Sequence, residues 1–114
     1  MNISVWQISY FGESLQSELL EYPTGIQARF IRLTDLMIAF GPDLGMPHTR
    51  ALGKGLFELR IKAHEGICRV MYCTVPDKHI VMLHAFLKKS QKIPQRDLEV
   101  AYQRLKEVKG DAKS

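Results

Sequence analysis

The segment Gly55 to Lys89, GLFELRIKAHEGICRVMYCTVPDKHIVMLHAFLKK, constrains the chain more than any other because it reads as three consecutive strands. From Leu56 to Lys62, Phe57, Leu59 and Ile61 alternate with Glu58, Arg60 and Lys62, and a period of two marks a half-buried strand. Cys68 to Cys73 alternates too, with Cys68, Val70 and Tyr72 on one side and Arg69, Met71 and Cys73 on the other. His79 to Leu87 is nearly all apolar. Strict alternation there sets Val81, Leu83 and Leu87 against Ile80, Met82, His84, Phe86 and, one step further, Lys88. The links around His64-Glu65-Gly66 and Val75-Pro76-Asp77-Lys78 are short and hold turn formers, which predicts an antiparallel meander. One face then carries Arg60, Lys62, Arg69, His84 and Lys88 together, and function is expected on that face.

The flanking segments supply helices to cover the sheet. Ile3 to Tyr10 reads as a strand with Trp6 as a core anchor. Gly12 breaks it, and Ser14 is placed to cap a short helix to Tyr22 with Leu15 and Leu19 inward. From Thr24 to Phe40, Ile26, Phe30, Leu33, Met37 and Phe40 recur at spacings of one helical face, and Gly41-Pro42 ends the helix. Arg29 and Arg32 lie off that stripe, on the solvated side. Asp43 to Gly53, rich in Gly and Pro, reads as a loop. Its Gly53-Lys54-Gly55 end lacks the spacing and the following helix of a phosphate loop, but Lys54 borders the basic face. After the strands, Pro94 suits a first helical position, and Leu98, Ala101, Tyr102, Leu105 and Val108 form a stripe closed by Gly110, with a frayed tail beyond. The order β-α-α-β-β-β-α predicts one α+β domain over residues 1–114, an antiparallel sheet with helices packed on one face and a basic open face.

Charge placement narrows the partner. Between His48 and Lys92 nine basic residues (Arg50, Lys54, Arg60, Lys62, Arg69, Lys78, Lys88, Lys89, Lys92) face three acidic ones (Glu58, Glu65, Asp77), a balance of +6 within a chain of net charge +4. Cations concentrated on a sheet suggest a polyanion, although a solvated polar face gives the same composition. No apolar run approaches the roughly 18 residues of a membrane span, and the first residues lack a signal-peptide pattern, so a cytoplasmic protein is expected. Cys68 and Cys73 fall on opposite faces of one strand, roughly 16 Å apart at the strand rise, too far to bridge. With no Cys/His cluster at zinc spacing and no paired carboxylates on the sheet, neither a metal nor another cofactor is expected. His84 in an apolar strand is either a hydrogen-bonded structural residue or a proton-transfer group. Phe86 or Met82 is positioned to support an RNA base.

The run LGKGLFELRIKAHEGICRVMYC, followed by IVMLHAFLKKSQKIP and a helix opening DLEVA, resembles the phage-derived HigB-like branch of the RelE toxin superfamily. The likeness covers nearly the whole chain and is most specific in GL-F-ELR, R-V-x-Y and F-x-KK-S. It implies the toxin of a two-gene toxin–antitoxin module, an endoribonuclease that cuts mRNA in the ribosomal A site and is silenced by a helix-turn-helix antitoxin. It further implies that Arg60 and Lys62 face the scissile phosphate, that Arg69 stabilises the pentavalent phosphorus, and that Lys88 or Lys89 serves the leaving 5′-oxygen. RelE itself stacks an mRNA base on a tyrosine beyond the basic pair. Here that stretch reads SQKIPQ, which leaves Phe86 for stacking and Lys54 and Lys92 as flanking RNA contacts. Lys62 or His84 is the expected acceptor of the 2′-hydroxyl proton. A non-catalytic RNA-binding or partner-binding module on the same scaffold would need the same cations.

Overall fold

The computed structural model describes residues 5–89 and 92–113. Its elements are β1 (Gln7–Tyr10), α1 (Glu13–Leu20), α2 (Thr24–Phe40), β2 (Thr49–Gly53), β3 (Leu56–Ala63), β4 (Gly66–Val75), β5 (His79–Leu87) and α3 (Gln95–Lys113). The α+β expectation and the β3–β4–β5 meander hold. Five strands form one mixed sheet in the order β1-β5-β4-β3-β2, because β1 runs parallel to β5 while the other pairs are antiparallel. The expected start of the first strand at Ile3 lies outside the described residues.

Three features depart from the sequence reading, each for a physical reason. First, Thr49–Gly53 is a strand rather than the end of a loop. Lys54 and Gly55 both take positive φ (56° and 86°), the conformation of a two-residue hairpin turn whose twist matches its strands, so the Gly-Lys-Gly segment folds β2 back on β3. β2 is a short edge strand with exposed Arg50 and Ala51, and such strands carry little apolar pattern to read.

Second, the helices cover both faces. α1 and α2 bury Leu15, Leu19, Ile26, Leu33 and Met37 against Leu59, Ile61, Val70, Tyr72, Ile80 and Met82. On the opposite face α3 brings Ala101 and Leu105 over Leu56, Met71, Cys73, Val81 and Leu83. Met71, which alternation left on the side of Arg69, and its neighbours Val81 and Leu83 require that second cover. α3 also runs through Gly110, which has no positive φ and so makes no helix stop there.

Third, a bulge shifts the register of β5. Met71 pairs with His84 but Tyr72 pairs with Met82, leaving Leu83 as the extra residue. Ile80 and Met82 therefore enter the α1–α2 core, while His84 and Phe86 emerge on the α3 side. Met82 is fully buried, which removes it as a support for a base.

Smaller details follow from packing. α1 starts after Gly12 with no side-chain cap, so Ser14 lies inside the helix. α2 has the expected bounds, but Phe40 points to solvent past the end of the stripe. Gly41 (φ 108°) closes α2, and its Cα lies so near Trp6 that a Cβ would stand 3.3 Å from the indole nitrogen. Trp6 packs against the core as expected. Both cysteines are free and buried on opposite faces.

Candidate phosphate-binding site

α3 covers only part of its face of the sheet. Beyond it, the alternation of β3 raises Glu58, Arg60 and Lys62, and the β3–β4 register sets Arg69 directly opposite Arg60. Phe86 of β5 stands opposite Arg69, and the Lys88 amide donates to the Ile67 carbonyl (2.7 Å), prolonging β5 so that Lys88 reaches the same region. Two arginines facing each other across a ladder repel, and such a pair needs an anion nearby. Glu58 provides it. Its Oε2 accepts from Arg69 Nη1 (3.0 Å) and its Oε1 from Arg50 Nε (2.9 Å). Glu58 is 3% exposed and Arg69 5%, so this is a buried ion pair extended to a more exposed arginine on β2.

The loop ahead of β2 forms the opposite wall. Buried Thr49 organises it: the Leu44 and Gly45 amides donate to Thr49 Oγ1 (3.0 and 2.9 Å), which in turn donates to Asp43. The Tyr72 hydroxyl donates to the Pro42 carbonyl (2.6 Å), and the Arg60 amide donates to the His48 carbonyl (2.7 Å), fixing His48 beside Arg60. The result is a hollow of about 180 Å³ lined by Met46, Pro47, His48, Thr49, Arg50, Glu58, Arg60, Arg69 and Lys88. Partial desolvation and the Arg69 and Arg60 cations lower the Lys88 pKa, against the pull of Glu58. Arg60 Nε is buried with no hydrogen-bond partner among the described residues, an unsatisfied donor beside the hollow.

The residues singled out from the sequence separate into three groups. Arg60, Arg69 and Lys88 meet in this hollow. Lys62 lines an adjoining hollow with Arg29, Pro47, His48 and Arg60. His84 and Phe86 stand to the side: His84 Nε2 pairs with Asp97 Oδ1 of α3 (2.6 Å) and its ring stacks near Phe86 at 6.1 Å between centroids. Lys54 sits at the β2–β3 turn, at the far end of β3 from Arg60, near the Tyr102 hydroxyl that bonds the Leu52 and Gly53 carbonyls. Lys89 and Lys92 are exposed after β5, and neither lines the hollow. Arg69 is buried and paired, whereas the sequence pattern placed it on an open face.

Glu58, Arg50 and His48 were not recognised as site residues from the sequence. The signal for the first two was present, since a two-residue turn at Lys54-Gly55 folds β2 back so that Arg50 pairs opposite Glu58. Nothing in the sequence indicates that His48 would wall the hollow. Its ring makes no hydrogen bond to a described residue, whereas the His79 ring bonds Ser9 (2.7 Å) and the His84 ring bonds Asp97. Among the described residues no three of His, Cys, Asp and Glu gather as a metal-ligand set.

This architecture is the RelE fold. The chain superposes on an archaeal RelE from the RelE–RelB complex of Pyrococcus horikoshii OT3 with a TM-score of 0.54 and 20% identity, over 80% of this chain and all of that one. It superposes on a mutant of the E. coli toxin RelE in the free state with a TM-score of 0.56 and 11% identity, over 89% of this chain and 98% of that one. Residues 17–106 match the family model described as Phage derived protein Gp49-like, and the chain belongs to that family. The resemblance carried by the ELRIK and R-V-x-Y segments is thereby borne out. No curated protein matches the sequence.

Proposed function

We propose that this protein is the toxin of a toxin–antitoxin pair and that it cleaves mRNA on the ribosome by attack of a ribose 2′-hydroxyl on the adjacent phosphate. The observation that carries the reading is the convergence of Arg60, Arg69 and Lys88 on one hollow whose single lining carboxylate, Glu58, is already bonded to two guanidiniums. Such a site is built to receive an anion and to meet charge that develops on it.

In the reaction proposed, Arg60 and Arg69 hold the non-bridging oxygens, and the O2′–P bond forms as the P–O5′ bond breaks. The products are a 2′,3′-cyclic phosphate and a 5′-hydroxyl. The 2′-hydroxyl proton is assigned to the His48 imidazole, which bonds no described residue, in preference to Lys62, which lines the neighbouring hollow, and His84, whose ring is bonded to Asp97. Lys88, with its lowered pKa, gives a proton to the leaving 5′-oxygen more readily than an ordinary ammonium would. Charge neutralisation is assigned to these side chains, with no metal required. Glu58 acts through Arg69 by fixing the plane of its guanidinium.

A small domain with an open hollow does little to bend RNA into line, and full orientation is worth about 7–11 kcal/mol of barrier. The ribosomal A site would supply it by presenting the mRNA in a fixed path. A cognate antitoxin, expected to be a helix-turn-helix protein, would silence the toxin by covering the hollow or by blocking entry to the ribosome. No helix among the described residues is long and apolar enough to cross a membrane, which is compatible with action in the cytoplasm. Induction of the wild-type gene alone should arrest growth and yield mRNA fragments with 5′-hydroxyl ends, whereas Arg60→Ala should do neither. Growth without fragments on wild-type induction would reject the reading.

A further inference from the structure

A second hollow of about 180 Å³ adjoins the first and is lined by Arg29 of α2, Pro47, His48, Arg60 and Lys62. The two share Pro47, His48 and Arg60, so Arg60 stands on the wall between them. Their charge is built differently. In the first, Glu58 offsets Arg69 and Arg50. In the second, three cations from two elements converge, no acidic residue lines the space, and none of the three forms an ion pair with a described residue. Like charges gathered without a counter-ion repel, and an arriving anion relieves that repulsion. The chain of hollows continues past Arg29 and Lys62 to Arg32 and His64, where the one carboxylate, Glu65, accepts from the Gly25 amide (3.0 Å).

We propose that this second hollow binds the neighbouring phosphate of the RNA strand, so that Arg60 bridges two consecutive phosphates and Arg29 and Lys62 hold the second. The subsite deepens the RNA-cleavage reading and rests on RNA being the ligand. No Phe, Tyr or Trp lines the space, and its three cations suit the RNA backbone rather than a base edge. Guanidinium forks match phosphate oxygens in pairs, and two hollows sharing one arginine fit a ligand that repeats one anionic group along a chain. An acidic protein segment presents carboxylates at less regular intervals and is the rival occupant.

The test uses fully 2′-O-methylated RNA, which lacks the attacking hydroxyl, as a dinucleotide with one phosphate and a trinucleotide with two. Binding to the full-length protein is measured across a salt series, with Arg29→Ala as the probe and Lys106→Ala, an exposed cation of α3, as the charge-matched control. The trinucleotide should bind the wild type more tightly than the dinucleotide. Arg29→Ala should weaken the trinucleotide by roughly fivefold or more and lower its salt slope by about 0.7, the contribution of one phosphate contact on a single strand. Dinucleotide affinity should stay within about twofold, and Lys106→Ala should change neither. Equal effects of the two substitutions, or equal wild-type affinity for the two ligands, would overturn the subsite. A poly-aspartate peptide binding as tightly as the trinucleotide and with the same Arg29 dependence would reassign the hollow to an acidic protein. Since these ligands cannot be cut, a protein that passes this test yet never cleaves RNA would lose the nuclease reading alone.

Discussion

Replacing Arg69 by Met should destabilise the domain as well as silence it. The Arg69 guanidinium and the Glu58 carboxylate are both nearly sealed from water and 3.0 Å apart. Removing one partner of a buried pair typically costs about 3–5 kcal/mol, because the remaining charge is left desolvated. Arg50 still binds the other Glu58 oxygen, from a side chain that is 48% exposed, so the expected loss is near the lower end, about 3 kcal/mol. For a chain of this length each kcal/mol lowers Tm by about 3–5 °C, giving a drop of roughly 10–15 °C. Adding Glu58→Gln removes the stranded charge, so the double variant should be more stable than the sum of the singles by about 1–3 kcal/mol. Urea unfolding followed by the fluorescence of the single tryptophan, Trp6, measures each term, with an unchanged m-value required for the comparison. Arg69→Met within about 0.5 kcal/mol of wild type, or strict additivity of the two changes, would refute the buried-pair account.

Further expectations concern the surroundings of the site. The Lys88 amine should titrate below its ordinary 10.5, and Arg60→Met should raise it; titration at or above 10.5 by NMR would remove Lys88 as the acid. Since the folded chain then holds fewer protons than the unfolded one between the two pKa values, this group makes stability rise with pH in that alkaline window, a rise that Lys88→Met should abolish. Burial, with a smaller contribution from Glu18, pushes the Cys68 thiol up to about 12, and burial also raises Cys73; neither should react with a thiol reagent until the protein unfolds, and rapid native labelling would contradict the packing. Asp97→Ala should cost about 1.5–3 kcal/mol by freeing His84 from α3, with a smaller effect on cleavage by the molecules that remain folded; selective loss of cleavage at full stability would return His84 to the reaction.

The meander and its basic face were legible because charged and apolar residues alternate from Leu56 to Lys62 and again from Cys68 to Cys73. Alternation failed in β5, where a nearly uniform apolar run carries no phase and conceals the bulge at Leu83. Strict counting set His84 on the basic face together with Ile80 and Met82; the bulge separates them, leaving His84 on that face and sending Ile80 and Met82 into the α1–α2 core. The burial of Arg69 was invisible for a different reason: it depends on Arg50, Glu58 and the loop wall at Met46–Thr49, which come together only once β2 folds back on β3. Local pattern reports which side of a strand a residue faces. It does not report what a loop from elsewhere lays over that side.

The central claim is that the Arg60–Arg69–Lys88 hollow cuts RNA presented by the ribosome. The direct measurement maps 5′-hydroxyl ends on one transcript incubated with purified protein, with and without translating ribosomes, using Arg60→Ala as the blank because Arg60 forms no ion pair with a described residue whose loss would confound the result. The account predicts Arg60-dependent cuts confined to translated frames and lost as salt rises. Equal cleavage without ribosomes would remove the ribosome from the mechanism, and the absence of Arg60-dependent cuts in both conditions would contradict the account at its base.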